Sequence, residues 1–433
     1  MGRVILLLLV LLPLGAQAEM RGHGGPVRAI AVSPDSRLAV TGSFDQSAIL
    51  WSLDREAALA VLRFHEGAVN AVAFCPDGRF LTGGEDGRVA LWRTGETRPE
   101  RIIERHEAAV VGLAVSPDGA FVASASWDGT ARVAPLAGGE ARVLKGHQGN
   151  VNAVAFLPDG RPVTAGYDGT LRIWPKGPGS VPGPSDDAAP TIVTLPTPLN
   201  ALVTAPDGEI VTAGADGVVR ILVNGRLRAA TGEGSPVVGL ALSPDGARIA
   251  AATLGGLLLI ERATGTAGAS GEAGPPLQGA GRPVWSVAFR PGNRELLTGG
   301  NDHAVRRWDL ATGREIGSPA VTGSDDVLAR FKGDRGAEVF RACVACHALT
   351  PDSGNRAGPT LHGVFGRRIA TAPGYNFSPP LKNLDIVWNA ETIARLFELG
   401  PSRYTPGTKM PEQIITDPRD REALVRFLER ATR

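Results

Sequence analysis

Cysteine is almost missing from this chain of 433 residues: there are three, and two of them stand three positions apart. With that pair committed to one motif, Cys75 has no partner for an intramolecular disulfide, so a disulfide-framed fold is excluded. Cys75 is read as a small buried filler. Methionine is as scarce, at Met1, Met20 and Met410 only. Aromatic residues make up 5% of the chain while glycine reaches 56 and proline 33, a balance suited to many short strands joined by turns. The formal net charge is +1, which gives a nucleic-acid partner no support. Apart from one segment at the start, no apolar run approaches the roughly 20 residues needed to cross a bilayer.

That segment runs from Val4 to Leu12 after Met1-Gly2-Arg3 and before Ala16-Gln17-Ala18. A basic start, a short apolar run and an A-x-A site predict a secretory signal peptide over residues 1–18, cleaved before Glu19. No cysteine follows the run, which argues against a lipid anchor there. The expected product is exported to the periplasm as a soluble protein, with no membrane span after cleavage. At 433 residues the chain is too long for one ordinary core and calls for at least two domains.

The paired cysteines lie in Cys343-Val344-Ala345-Cys346-His347, the C-x-x-C-H pattern of covalent haem attachment. On a helical turn two sulfurs at this spacing reach the two vinyl groups of one porphyrin, and the next side chain turns its imidazole toward the iron. A redox dithiol or half of a zinc site also uses C-x-x-C. Zinc asks for a second Cys/His pair, and the remaining cysteine is far upstream. A dithiol asks for a βαβ setting, whereas a Gly/Pro-rich loop follows here. Export fits the haem reading, because haem is attached to such motifs outside the bacterial cytoplasm.

Between residue 23 and about 322 an alternating strand runs repeatedly into a P-D-G-like turn, with prolines at 34, 76, 117, 158, 206, 244 and 291. Steps of 38 to 48 residues match the period of a four-stranded propeller blade. His23, His65, His106 and His147 precede the first strands, and Asp45, Asp86, Asp128 and Asp168 follow 21 or 22 residues later. Trp51, Trp92 and Trp174 come six residues after their aspartates, with Ala134 in the third copy. Later copies decay: no tetrad histidine follows His147, and Gly255-Gly256 replaces one Asp-Gly turn. His303 follows the Asp302 turn and is expected on the surface. The segments 175–190 and 263–282 read as inserted Pro/Gly/Ser-rich loops. Residues 19–323 thus resemble a WD-repeat β-propeller of seven blades, and the resemblance implies that these histidines are structural. Only four residues precede His23 after cleavage, and 312–321 reads as an outer strand. Closure is therefore expected from the C-terminal side, with little or no strand exchange.

Residues 324–433 form the second domain. Amphipathic patterns predict helices over 326–341, 390–399 and 417–430. Gly336, on the first, suggests a close helix–helix approach. In order come Phe340, the C-x-x-C-H motif, Gly358-Pro359-Thr360-Leu361-His362-Gly363, Arg367, Ala372-Pro373-Gly374-Tyr375, Trp388 and Tyr404-Thr405-Pro406-Gly407-Thr408-Lys409-Met410. Together they resemble the class I c-type cytochromes of the soluble, mitochondrial-like kind. The fold class expected is an all-β propeller followed by an all-α cytochrome c domain.

The resemblance implies one haem c held through Cys343 and Cys346, with His347 as proximal iron ligand and Met410 as the sixth. It implies that the Pro359 carbonyl accepts the other imidazole N–H, and that Arg367, Trp388 and Tyr375 meet the haem propionates. His362 is the competing sixth ligand. Phe377 and Leu381 stand where relatives often carry tyrosine and asparagine, removing polar groups beside the haem. With both axial positions filled the iron has nowhere to bind a substrate, so the expected function is electron transfer to protein redox partners rather than catalysis. Lys382, Lys409, Arg403 and Arg368 are candidates for a basic ring around the haem edge. The alternative is a haem-based redox enzyme, or a gas or peroxide sensor, in which Met410 leaves the iron.

Overall fold

The computed structural model describes residues 20–176, 189–232, 234–267, 283–316, 328–344, 346–350, 356–375, 377–410 and 412–433. The expected signal peptide and most of both inserted loops lie outside these residues. Residues 20–316 form seven four-stranded antiparallel sheets. In six of them the four strands are consecutive in the chain, as in the first: Val27–Val32, Leu38–Ser43, Ala48–Ser52 and Ala57–Leu62.

One irregularity recurs in every blade. Each innermost strand slips register after its first residue, from Val27/Ala29 in the first blade to Val284/Ser286 in the last. The extra residue is Arg28, Asn70, Val111, Asn152, Asn200, Val238 or Trp285, and all seven line one central cavity. A bulge re-aims a side chain out of the pleat, and here it turns seven equivalent positions toward the axis.

The tetrads stand as the spacing implies. In the second blade His65 Nδ1 lies 2.9 Å from Asp86 and Nε2 lies 2.7 Å from Thr82 Oγ1, while Trp92 Nε1 donates to the same hydroxyl at 2.9 Å. The carboxylate can only accept and the indole can only donate. The threonine hydroxyl therefore donates to the imidazole, and the imidazole, hydroxyl and indole of this tetrad are all satisfied. The first and fourth blades repeat this chain through Thr41 and Thr164. In the third, Ser124 bonds His106, and Ala134 is buried in the place of the indole. The last blade keeps only the Trp308-to-Thr298 bond, at 2.9 Å. His303 is partly buried rather than exposed, at φ +65° in its turn.

Ring closure differs from the sequence expectation. Met20–Arg21 supplies a fourth strand to the last blade, with Met20 opposite Val305 and Arg21 opposite Ala304. The C-terminal side contributes the other half of that edge: Glu315 bridges Trp308, and Ile316 N donates to Arg307 O at 2.8 Å. Strand exchange between chain ends thus takes place. The physical reason is burial, since Met20 is 1% exposed in a cluster with Trp51, Leu297 and Val305.

The second domain carries α1 (Arg335–Phe340), α2 (Pro379–Lys382), α3 (Ala390–Leu399), α4 (Pro401–Tyr404) and α5 (Pro418–Ala431). The long first helix read from the sequence is broken. Gly333 takes φ +82°, and Asp334 caps a new helix by accepting from the Gly336 and Ala337 amides. Helix α3 opens with a reciprocal Asn389/Thr392 capping box, and α5 with Asp417 followed by Pro418. Helices α1 and α5 meet at Gly336, where a Cβ would stand 2.1 Å from the Ala423 carbonyl oxygen. Phe427 fills the crossing, its ring 5.4 Å from Phe340 and 4.9 Å from Phe331.

Candidate haem site

The C-x-x-C-H segment is a tight turn. Cys346 N and His347 N both donate to the Cys343 carbonyl, at 3.1 and 3.0 Å. A second loop is stapled beneath it by Gly358 N to Cys346 O at 2.7 Å and Leu361 N to Ala348 O at 2.8 Å. His347 lies flat on this loop: a Cβ at Gly358 would come within 2.3 Å of its Cε1. His347 Nδ1 donates to the Pro359 carbonyl at 2.8 Å. That bond fixes the tautomer and leaves the Nε2 lone pair for a metal. Burial pushes the imidazole down to about 4, with the Pro359 bond opposing, so the ring is neutral near pH 7. Burial also pushes the Cys343 thiol up to about 12 and the Cys346 thiol up to about 11. Reactive dithiols need the opposite shift, so the pair is poorly suited to thiol exchange.

Cys343, Cys346, His347 and Met410 all line one cavity of about 1310 Å³, open mouth included, walled largely by apolar side chains. Met410 arrives on a braced loop. Thr405 N donates to Pro401 O at 2.8 Å, Ser378 Oγ to Gly407 O at 2.6 Å, and Met410 N to Thr408 Oγ1 at 3.1 Å. Gly407, at φ +81°, packs where a Cβ would meet Pro380 at 2.6 Å. His362, the competing ligand, does not line the cavity, and its Nδ1 is buried without a hydrogen-bond partner among the described residues.

Arg367, Trp388 and Tyr375 also face the cavity, but two of them have polar atoms already engaged. Arg367 donates to the carbonyls of His362 at 3.0 Å and Thr360 at 2.6 Å. The Tyr375 hydroxyl donates to the Ala357 carbonyl at 2.6 Å. Phe377 and Leu381 line the wall as apolar surfaces. The suggested basic ring is incomplete: Lys382 and Arg403 are exposed, Arg368 pairs with Asp385 at 3.4 Å, and Lys409 donates to the His65 carbonyl of the propeller.

Sequence reading missed Arg63, a propeller residue that lines the same cavity. It follows the outer strand of the first blade, and no motif or periodicity reports which domain such an edge will touch. The residues present fit a haem. Two thiols, a neutral imidazole with a fixed tautomer and a thioether share an apolar cavity large enough for a porphyrin, and Gly358 keeps its floor clear.

Comparison with known families agrees with both halves of this architecture. The family described as "WD domain, G-beta repeat" matches residues 16–52, 57–93, 97–133, 138–175 and 276–309. The fifth and sixth blades, whose tetrads have decayed, fall between the last two matches. The family described as "Cytochrome c" matches residues 333–432. Among similar proteins, "Cytochrome c" of Cochliobolus lunatus is 40% identical over 100 residues, 23% of this chain and 92% of the relative. "Cytochrome c" of Arabidopsis thaliana is 37% identical over 109 residues, 25% of this chain and 96% of the relative. "Cytochrome c" of Sesamum indicum is 37% identical over 98 residues, 22% of this chain and 87% of the relative.

Proposed function

The chain belongs to the cytochrome c family through its C-terminal domain, behind a WD-repeat propeller, and on that premise we propose that it is an exported, periplasmic electron carrier holding one haem c. Cys343 and Cys346 would hold the haem through thioethers, and His347 and Met410 would supply the iron's nitrogen and sulfur ligands. The observation that carries this reading is that all four side chains open onto one apolar cavity. When bound, the haem supplies a one-electron couple, and thioether ligation raises its potential by favouring the reduced iron.

The chain's own residues prepare that couple. Pro359 holds the proton on His347 Nδ1 and so orients the ring. The Pro401–Thr405 and Ser378–Gly407 bonds hold the Met410 loop in place. The apolar wall excludes water, which keeps the change in charge on electron transfer from being screened. With His347 and Met410 both bound to the iron, no position would be left open for substrate. The propeller docks a protein partner, keeping donor or acceptor at high effective concentration near the haem. Among the described residues no helix is long and apolar enough to cross a membrane.

The test is Met410→Ala in the full-length protein. Unmodified protein should be red, low-spin and indifferent to carbon monoxide, with pigment that survives acid–acetone extraction. The variant should turn high-spin, bind carbon monoxide and lose reduction potential. A variant spectrum identical to the parent's would remove Met410 from the iron. Carbon monoxide binding by the parent would favour the sensor or enzyme reading.

A further inference from the structure

The propeller does more than precede the cytochrome domain: it contributes Arg63 to the lining of the cavity. The Arg63 guanidinium lies 5.8 Å from the centre of the Tyr375 ring, and its Nη2 donates to the Ala357 carbonyl, the oxygen that also takes the Tyr375 hydroxyl. Around it the two domains are pinned by Ala357 N donating to Gly22 O at 2.5 Å and by Lys409 Nζ donating to His65 O. At Gly24 the approach is so close that a Cβ would stand 2.2 Å from Cys346 Sγ.

The charges of the cavity are one-sided. Arg63, Arg367, Arg368 and Lys409 line it, and among the described residues no aspartate or glutamate does, although Asp45 of the first tetrad, outside the lining, attracts Arg63. Arg367 spends two N–H groups on backbone carbonyls, Arg368 has Asp385, and Lys409 has the His65 carbonyl. Arg63 differs: its Nε and Nη1 are buried without any acceptor among the described residues. A part-buried cation with two buried, unmet donors calls for an anionic acceptor, best a carboxylate that can take two parallel N–H bonds. A haem brings two carboxylates.

Resting on the haem reading above, we propose that Arg63 is a haem-binding residue supplied by the propeller, donating its Nε and Nη1 hydrogens to a haem carboxylate. Reduction lowers the charge of the iron by one unit, so a nearby fixed cation favours the reduced state. The propeller is then part of the redox centre, and the reduction potential reports whether the two domains are docked.

The experiment is a redox titration, followed by haem absorbance, of full-length protein, three single variants and one double variant. Arg63→Gln should lower the midpoint potential, roughly tenfold in the reduction equilibrium or about 59 mV for one electron. Arg63→Lys, which keeps the charge, should stay nearer the parent. Gly24→Val retains Arg63 but places a side chain against Cys346, where its other neighbours stand 3.8 Å away. It should lower the potential too, and adding Arg63→Gln to it should change little more. Haem-loaded Arg63→Gln with the parental potential would overturn this inference alone. Parent protein without covalent haem would overturn the haem reading and this inference with it.

Discussion

His65, Asp86 and Trp92 are legible in the sequence because their chemistry forces a spacing. A carboxylate buried in a turn needs a donor, the imidazole needs a second partner, and the hydroxyl takes the indole. The same groups predict how the propeller responds to acid. Burial alone would raise the carboxyls of Asp86 and Asp168, but their bonds to His65, His147 and backbone amides hold both down to about 2, below the usual 3.8. Each therefore contributes stability that is complete above pH 4 and lost as pH falls toward 2. Burial also pulls His106 and His147 below their ordinary 6.5, against the attraction of Asp128 and Asp168. In acid the unfolded chain takes protons that these folded imidazoles decline, so stability falls as pH drops below 6.5. Thermal melting should show a constant midpoint above pH 7, a first decline below 6.5 and a steeper one below 4. A midpoint unchanged between pH 7 and 3 would contradict the tetrad account. Arg63 marks the opposite limit of legibility, since its meaning depends on a surface contributed by residues nearly 300 positions away.

Among elements, those with strong local signals were read correctly. Helix α3 spans the predicted residues because Asn389 and Gly400 punctuate it, and α5 lies within one residue of its expected bounds. The first helix was drawn too long, because its apolar spacing continues across Gly333, a residue at positive φ where an amphipathic pattern carries no information. Ring closure was misjudged for a related reason: Met20–Arg21 is too short to show any alternation, and its anchor is the burial of one side chain. Met20→Ala should therefore destabilise the propeller by about 3 kcal/mol, within the range for truncating a buried methionine. Urea unfolding checks this. A loss under 0.5 kcal/mol, on the order of a surface change, would mean that the N-terminal strand does not close the ring.

At the scale of the whole molecule, a ring of seven blades carries one small helical domain against the edge of its first two. The contact runs through Gly22, Gly24, Arg63 and the His65 carbonyl on one side and Cys346, Ala357, Tyr375 and Lys409 on the other. It covers the cytochrome domain beside Cys346, so a redox partner of the kind proposed would have to reach the haem elsewhere or displace the propeller. The sequence announced two domains and their order but not this contact, because neither repeat period nor haem motif encodes how one surface meets another. Everything proposed for the molecule depends on a haem joined to the Cys343–Cys346 segment. The direct measurement is the intact mass of the protein isolated from the export compartment, followed by mapping of its peptides. The account predicts a chain beginning at Glu19 and heavier by one haem, the added mass residing on the peptide that contains both cysteines. A mass equal to that of the bare polypeptide would contradict it.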